Sequence, residues 1–300
     1  MLDEAPRQPS VSPAVLERSG RVEVLTKVCI DDLLCAFGLD ELRHGRDLLR
    51  LIARIPVRRL ARQVATYDEI VGESGLAAGG AWALERMARS VEVEGLENVP
   101  WEGPLLLASN HPGLSDAVAL FATTPRADLR VLAAERPFLI ALPNTSRYLL
   151  TVPEQPQVRF RVVRRAARHL RVGEAILTFP GGKIEPDPAV LPGAVEALEH
   201  WSASLDLFAR LVPDLAVVPV IVSGVISPTA LRNPLAFLRR RKEDREWLAA
   251  TIQMMMPALR NCATRIAFGR SVHAEDSADR SVSRATLGEA RRLIKESRAR

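Results

Sequence analysis

His111 and Asp116 are the residues of this chain whose types and spacing suit proton transfer. A neutral imidazole accepts a proton near physiological pH. A carboxylate on its other ring nitrogen fixes the tautomer and stabilises the imidazolium that forms. The two stand about one helical turn apart in Ser109-Asn110-His111-Pro112-Gly113-Leu114-Ser115-Asp116. Pro112 suits the first turn of a helix, and Gly113 leaves room above a strand end. No Ser or Cys stands beside them at an elbow motif, so the imidazole would act directly on a substrate hydroxyl. The same spacing also suits a helix cap next to a satisfied turn histidine.

A second group is Thr178-Phe179-Pro180-Gly181-Gly182-Lys183-Ile184-Glu185-Pro186-Asp187. Paired glycines let backbone N–H groups approach an anion, and lysine adds a point charge. The spaced glycines and Lys-Ser/Thr pair of a P-loop are missing. A phosphate-binding turn and an ordinary strand-ending turn both fit. The third group is the apolar run Val217-Val218-Pro219-Val220-Ile221-Val222, closed by Ser223 and Gly224. Most of its side chains are core by pattern, with Ser223 and Gly224 as possible site neighbours.

These groups need a scaffold that ends strands at one edge. Val91–Val93, Leu105–Ser109, Leu129–Ala133, Ala175–Phe179, Leu215–Val222 and Arg265–Phe268 read as strands. Helical patterns cover Ser115–Thr124, Val158–Arg171, Gly193–Leu211, Glu243–Leu259 and Ser283 onward. Ser283 with Thr286, or Thr286 with Glu289, offers a capping box for the last helix. The alternation predicts an α/β fold: a mixed, mostly parallel central sheet flanked by helices. An N-terminal helical region precedes it, with Pro56 as a kink or break and Gly72–Gly80 as its loosest stretch.

The 300 residues are 47% hydrophobic and 26% charged, as in soluble globular proteins. A net charge of +5 favours anionic partners. Only 5% of residues are aromatic, against a base-stacking nucleic-acid platform. Cys29, Cys35 and Cys262 have no metal-ligand spacing, and their sparse, odd count suits a reducing compartment. Neither a signal peptide nor an apolar run long enough to span a bilayer is recognisable. Membrane contact is therefore expected to be peripheral.

Taken in order, the three groups resemble the glycerolipid acyltransferase family, which contains bacterial 1-acylglycerol-3-phosphate acyltransferase. The family's His-x4-Asp block is matched by His111 to Asp116. Its Phe-Pro-Glu-Gly block is matched by Phe179-Pro180-Gly181-Gly182-Lys183, and its apolar strand with a central Pro by Val217–Val222 around Pro219. The resemblance runs from about Val91 to Phe268. It implies that His111 deprotonates an acceptor hydroxyl, oriented by Asp116. The oxygen then attacks the thioester of acyl-CoA or acyl carrier protein, without a cofactor or metal. The acceptor would be a glycerolipid, with lysophosphatidate as one case. Asn110, Phe179, Pro180, Gly181, Gly182, Lys183, Glu185 and Arg136 are the residues it implies for substrate binding.

Two departures stand out. Gly181 occupies the place of the family's Glu, so that role is vacant or taken by Glu185. Lys183 stands near the usual Thr-Arg pair, leaving one positive charge. The family's second block is hard to place; Arg136-Pro137-Phe138-Leu139-Ile140 is nearest, with Arg147 or Arg159 as possible cations.

The expected organisation is a disordered lead over 1–21, an N-terminal helical region over 22–90 and an α/β acyltransferase domain over 91–300. Arg50, Arg54, Arg58, Arg59 and Arg62 among apolar positions fit either a membrane-surface helix or a solvated face. Pro234-Leu235-Ala236-Phe237-Leu238 leading into Arg239-Arg240-Arg241-Lys242 offers a second basic, apolar stretch for anionic lipid. The expected location is cytoplasmic, peripheral at the inner face of the cell membrane, with no nucleic-acid partner. The altered Gly181 turn leaves a non-catalytic lipid-binding or scaffold protein as the alternative.

Overall fold

A computed structural model describes residues 13–39, 42, 44–153, 155–274 and 281–299. Two long helices come first, α1 (Pro13–Phe37) and α2 (Arg46–Met87). The strands are β1 (Ala88–Glu94), β2 (Leu105–Ser109), β3 (Arg130–Ala134), β4 (Leu149–Val152), β5 (Ala175–Thr178), β6 (Ala216–Ser223) and β7 (Cys262–Phe268). Between them lie α3 (Asp116–Thr123), α4 (Pro137–Ile140), α5 (Pro143–Ser146), α6 (Pro156–Arg171), α7 (Ala194–Ala197), α8 (Ser204–Leu211), α9 (Pro228–Leu231) and α10 (Lys242–Met255). The chain closes on α11 (Val282–Ala299).

One sheet has the order β1-β7-β6-β2-β5-β3-β4. Only β6 and β7 pair antiparallel; the other neighbours are parallel. The C-terminal ends of β6, β2, β5, β3 and β4 therefore share one edge. The central strands are apolar on both faces because both faces are covered. Leu105 and Leu107 point into the cluster under α2 and α3, and Leu106 and Ala108 into the one under α6, α8 and α11.

Several expectations need correction. Residues 1–12 lie outside the described residues, but α1 begins at Pro13, so the helical region reaches into the expected 1–21 lead. Pro56 does not break α2: Val57 and Ala61 are fully buried, and packing carries the helix through. The bend falls at Gly75, whose φ of 87° only glycine takes readily. The helix expected over Gly193–Leu211 is split by a 3-10 turn at Leu198–His200, which turns Trp201 inward. Strand β4 was missed because it is a short edge strand. The last helix starts at Val282, and Ser281, not Ser283 or Thr286, accepts from the first turn, at Arg284 N–H.

α2 is tied to the sheet domain at two places. Gly80 lies so close to α3 that a Cβ there would meet Val118 O and Ala122 N at 2.8 Å. The buried Asp68 carboxylate accepts from Thr145 N–H and Oγ1, both at 2.8 Å, and from Asn144. Cys29 and Cys262 are buried free thiols, pushed up by burial to about 12 and about 11.

Candidate active site

β2 ends at Ser109, and the next residue ties the edge together. Asn110 is buried; its Nδ2 donates to Val222 O at 2.9 Å, and its Oδ1 accepts from Val222 N–H at 2.8 Å. The amide thus continues the β2–β6 ladder by one side chain. Both its polar atoms are used within the protein, so Asn110 positions the following loop rather than reaching a substrate.

His111 is the first residue beyond that tie. Its Nδ1 lies 2.7 Å from Asp116 Oδ2. Asp116 is fully buried at the start of α3, where the helix N-terminus favours a carboxylate, and its Oδ1 accepts from Ala117 N–H at 2.7 Å. Acceptance by Asp116 places the proton on Nδ1 and leaves Nε2 as the basic nitrogen. Nε2 has no partner among the described residues, and the imidazole keeps 28% of its exposure. The Phe179 ring backs it, with centroids 4.6 Å apart. Burial opposes the imidazolium, but the Asp116 charge, the hydrogen bond to it and the Glu185 charge outweigh burial and raise the His111 pKa.

The segment after β5 crosses the ends of β2 and β6 as a strap without regular structure. Glu185 N–H donates to His111 O at 2.8 Å, and Glu185 Oε2 accepts from His111 N–H at 2.9 Å. Trp201 Nε1–H donates to Glu185 Oε1 at 2.8 Å. Two residues on, the fully buried Asp187 accepts from the N–H groups of Ala189, Gly224, Val225 and Ile226 at 2.8–3.0 Å. Burial still dominates for both carboxyls and pushes them up.

Gly181 sits against this strap. A Cβ there would lie 2.9 Å from the Glu185 carboxyl carbon and Oε1. The carboxylate of Glu185 therefore fills the space beside Gly181, and the two positions cannot both carry a bulky side chain. Gly182 turns the chain at a φ of 65°, donating to Phe179 O at 3.0 Å, and Lys183 is exposed.

The other expected residues make different contacts. Arg136 is exposed at the start of α4, with Asp32 of α1 as its electrostatic neighbour. Arg147 precedes β4 and so lies at the opposite edge of the sheet from His111. Arg159 is on α6, donating to Pro153 O. Ser223 Oγ faces Ser297 on α11, and Gly224 serves Asp187. Trp201 and Asp187 were not singled out from sequence. The Glu-Pro-Asp spacing after the glycine turn is the available signal for Asp187; none points to Trp201. Among the described residues, no three His, Cys, Asp or Glu side chains gather as metal ligands.

The family model for acyltransferases matches residues 90–223. These residues are an acyltransferase-family domain. The match starts within β1 and ends with the last residue of β6, so it holds His111, Asp116 and the strap. No curated protein matches the chain. Among solved structures, the 1-acyl-sn-glycerophosphate (LPA) acyltransferase PlsC from Thermotoga maritima is similar. It is 18% identical, with a TM-score of 0.46, over 95% of this chain and 96% of that one.

Within the acyltransferase domain the Gly181–Glu185 contact gives a stability prediction. Gly181→Ala should cost about 1–3 kcal/mol through overpacking against a buried carboxylate. Chemical denaturation should show a lower midpoint, and an unchanged midpoint would refute the close contact.

Proposed function

We propose that this protein is a peripheral membrane O-acyltransferase. It moves a fatty acyl group from acyl-CoA or acyl carrier protein to a hydroxyl of a glycerolipid-type acceptor, as the resemblance implies. The observation that supports it most is the His111 Nδ1–Asp116 contact of 2.7 Å with Nε2 left unpaired. Nε2 takes the acceptor's hydroxyl proton, and the oxygen attacks the thioester carbonyl carbon. The C–O bond forms, the C–S bond breaks, and the imidazolium returns its proton to the leaving thiolate. Asp116 stabilises the imidazolium between these steps. No cofactor enters this scheme.

The alternative of a non-catalytic lipid-binding protein rested on Gly181 lacking a carboxylate. Glu185 places a carboxylate beside Gly181, which favours the catalytic reading. His111→Ala should leave a folded protein that releases no thiol from acyl-CoA in the presence of a lipid acceptor. Turnover retained by that variant would sink the mechanism.

Asp116→Asn tests the pair by pH. His111 must be neutral to act as base, so its raised pKa sets the acid limb of the rate profile above the ordinary histidine value. With Asp116 uncharged, burial of His111 acts against a weaker opponent. The acid limb should move to lower pH while the plateau rate falls about 10²–10⁴-fold. A limb that stays in place or rises would contradict the assigned pairing.

The membrane part of the reading rests on exposed apolar side chains. Leu48, Leu51, Ile52 and Ile55 follow i, i+3, i+4, i+7 spacing on α2 and are 61%, 64%, 64% and 82% exposed. Arg58, Arg59 and Arg62 continue that face. Arg50 and Arg54 instead pair with Asp31 and Glu23 of α1. Leu235, Phe237 and Leu238 are also exposed, beside Arg240 and Arg241; Arg239 turns away to pair with Asp244 at 2.7 Å. Among the described residues no helix is long and apolar enough to cross a membrane. A surface contact with anionic lipid, at the inner face of the cell membrane, fits this pattern. Sedimentation with vesicles should show preference for anionic over neutral lipid, and Leu51→Glu/Ile55→Glu should weaken binding at least about tenfold. Equal binding of both proteins would refute the surface.

A further inference from the structure

Beyond the strap, on the same edge as His111, lies a cavity of about 470 Å³. Its apolar wall comes from Leu191 on the strap, Leu231 on α9 and Phe237 on the 3-10 turn Pro234–Leu238. Three cations line it: Arg232, Lys242 and Arg245. Among the described residues neither Arg232 nor Arg245 has a carboxylate within ion-pair distance. Arg232 Nε donates to Pro228 O at 3.2 Å, and Arg245 lies over the Phe237 ring at 5.6 Å. Lys242 Nζ is 3.8 Å from Glu246 Oε1, and that oxygen is buried without a hydrogen-bond partner.

We propose that this cavity receives the phosphate-bearing head of the lipid acceptor. The chemistry fits part by part. Three cations against one carboxylate leave a net positive rim for a phosphate, and guanidinium groups suit its geometry. The unpartnered Glu246 oxygen is an acceptor for a glycerol hydroxyl. The wall of Leu191, Leu231 and Phe237 suits the start of an acyl chain.

Position favours the lipid over the thioester donor. Phe237 belongs both to the cavity and to the exposed apolar Leu235–Leu238 patch, so a molecule held in a bilayer would enter from that side. The glycine turn supplies only the exposed Lys183 as a cation. The strap runs from that turn through Glu185 and Asp187 to Leu191, linking the proton-transfer pair to the cavity. This inference rests on the acyl-transfer reading for the identity of the ligand.

Binding is tested without turnover, on full-length His111→Ala protein, by equilibrium dialysis below the probes' micelle concentrations. The probes are 1-octanoyl-glycerol 3-phosphate, neutral 1-octanoylglycerol and octanoyl-CoA. Adding Arg232→Gln and Arg245→Gln should raise Kd for the phosphate-bearing lipid about tenfold or more. The neutral lipid and octanoyl-CoA should change less than about twofold, and Arg291→Gln, which removes a charge from α11, should change none of them. An unchanged Kd for the phosphate-bearing lipid, an equal loss for the neutral lipid, or a loss confined to octanoyl-CoA would each overturn the assignment. A wild-type protein that binds as expected but transfers no acyl group would instead overturn the acyl-transfer reading alone.

Discussion

Burying a carboxylate costs several kcal/mol unless donors meet its oxygens. Glu185 and Asp187 both pass that test, and most of the donors they use come from the strand ends they cross. Glu185 closes a two-bond ring with the main chain of His111 and takes the indole N–H of Trp201. Asp187 collects three successive N–H groups after β6. A segment with no helix or strand of its own thereby holds the loops after β2 and β6 to the end of β5. The position of the imidazole depends on this strap as much as on Asp116.

The N-terminal helices support the same centre from below. α2 packs on α3 through Gly80, and α3 opens on Asp116. The carboxylate that orients His111 therefore stands on a helix braced by a region outside the matched acyltransferase segment. The same α2 leaves an apolar stripe uncovered at its other end. α2, bent at Gly75, thus connects the proposed lipid surface to the helix that carries Asp116.

The centre of the sheet is legible because β2, β5 and β6 are short apolar runs ended by Gly, Pro, Asn or Ser. Leu105–Ser109 was placed at its observed bounds, and most others fell within two or three residues. Pro56 misled because the local cost of proline in a helix is outweighed by the packing of Val57 and Ala61 on α1 and the core. β4 was hidden because an edge strand of four residues carries little pattern. At the site, His111 and Asp116 were readable because they lie within one turn of chain. The resemblance implies a substrate role for Asn110 beside His111, while its partner, Val222, is 112 residues away and invisible to local pattern. Trp201 reaches Glu185 through a 3-10 turn that local pattern does not encode.

The contact between Gly181 and Glu185 also constrains how this turn could have changed over time. A carboxylate side chain at 181 needs the volume that Glu185 now occupies. Losing Glu185 first would strip the His111 N–H and the Trp201 indole of their acceptor. Each single step between the two arrangements is thus unfavourable. The two positions are thus coupled, and a side chain at 181 costs least where residue 185 has withdrawn.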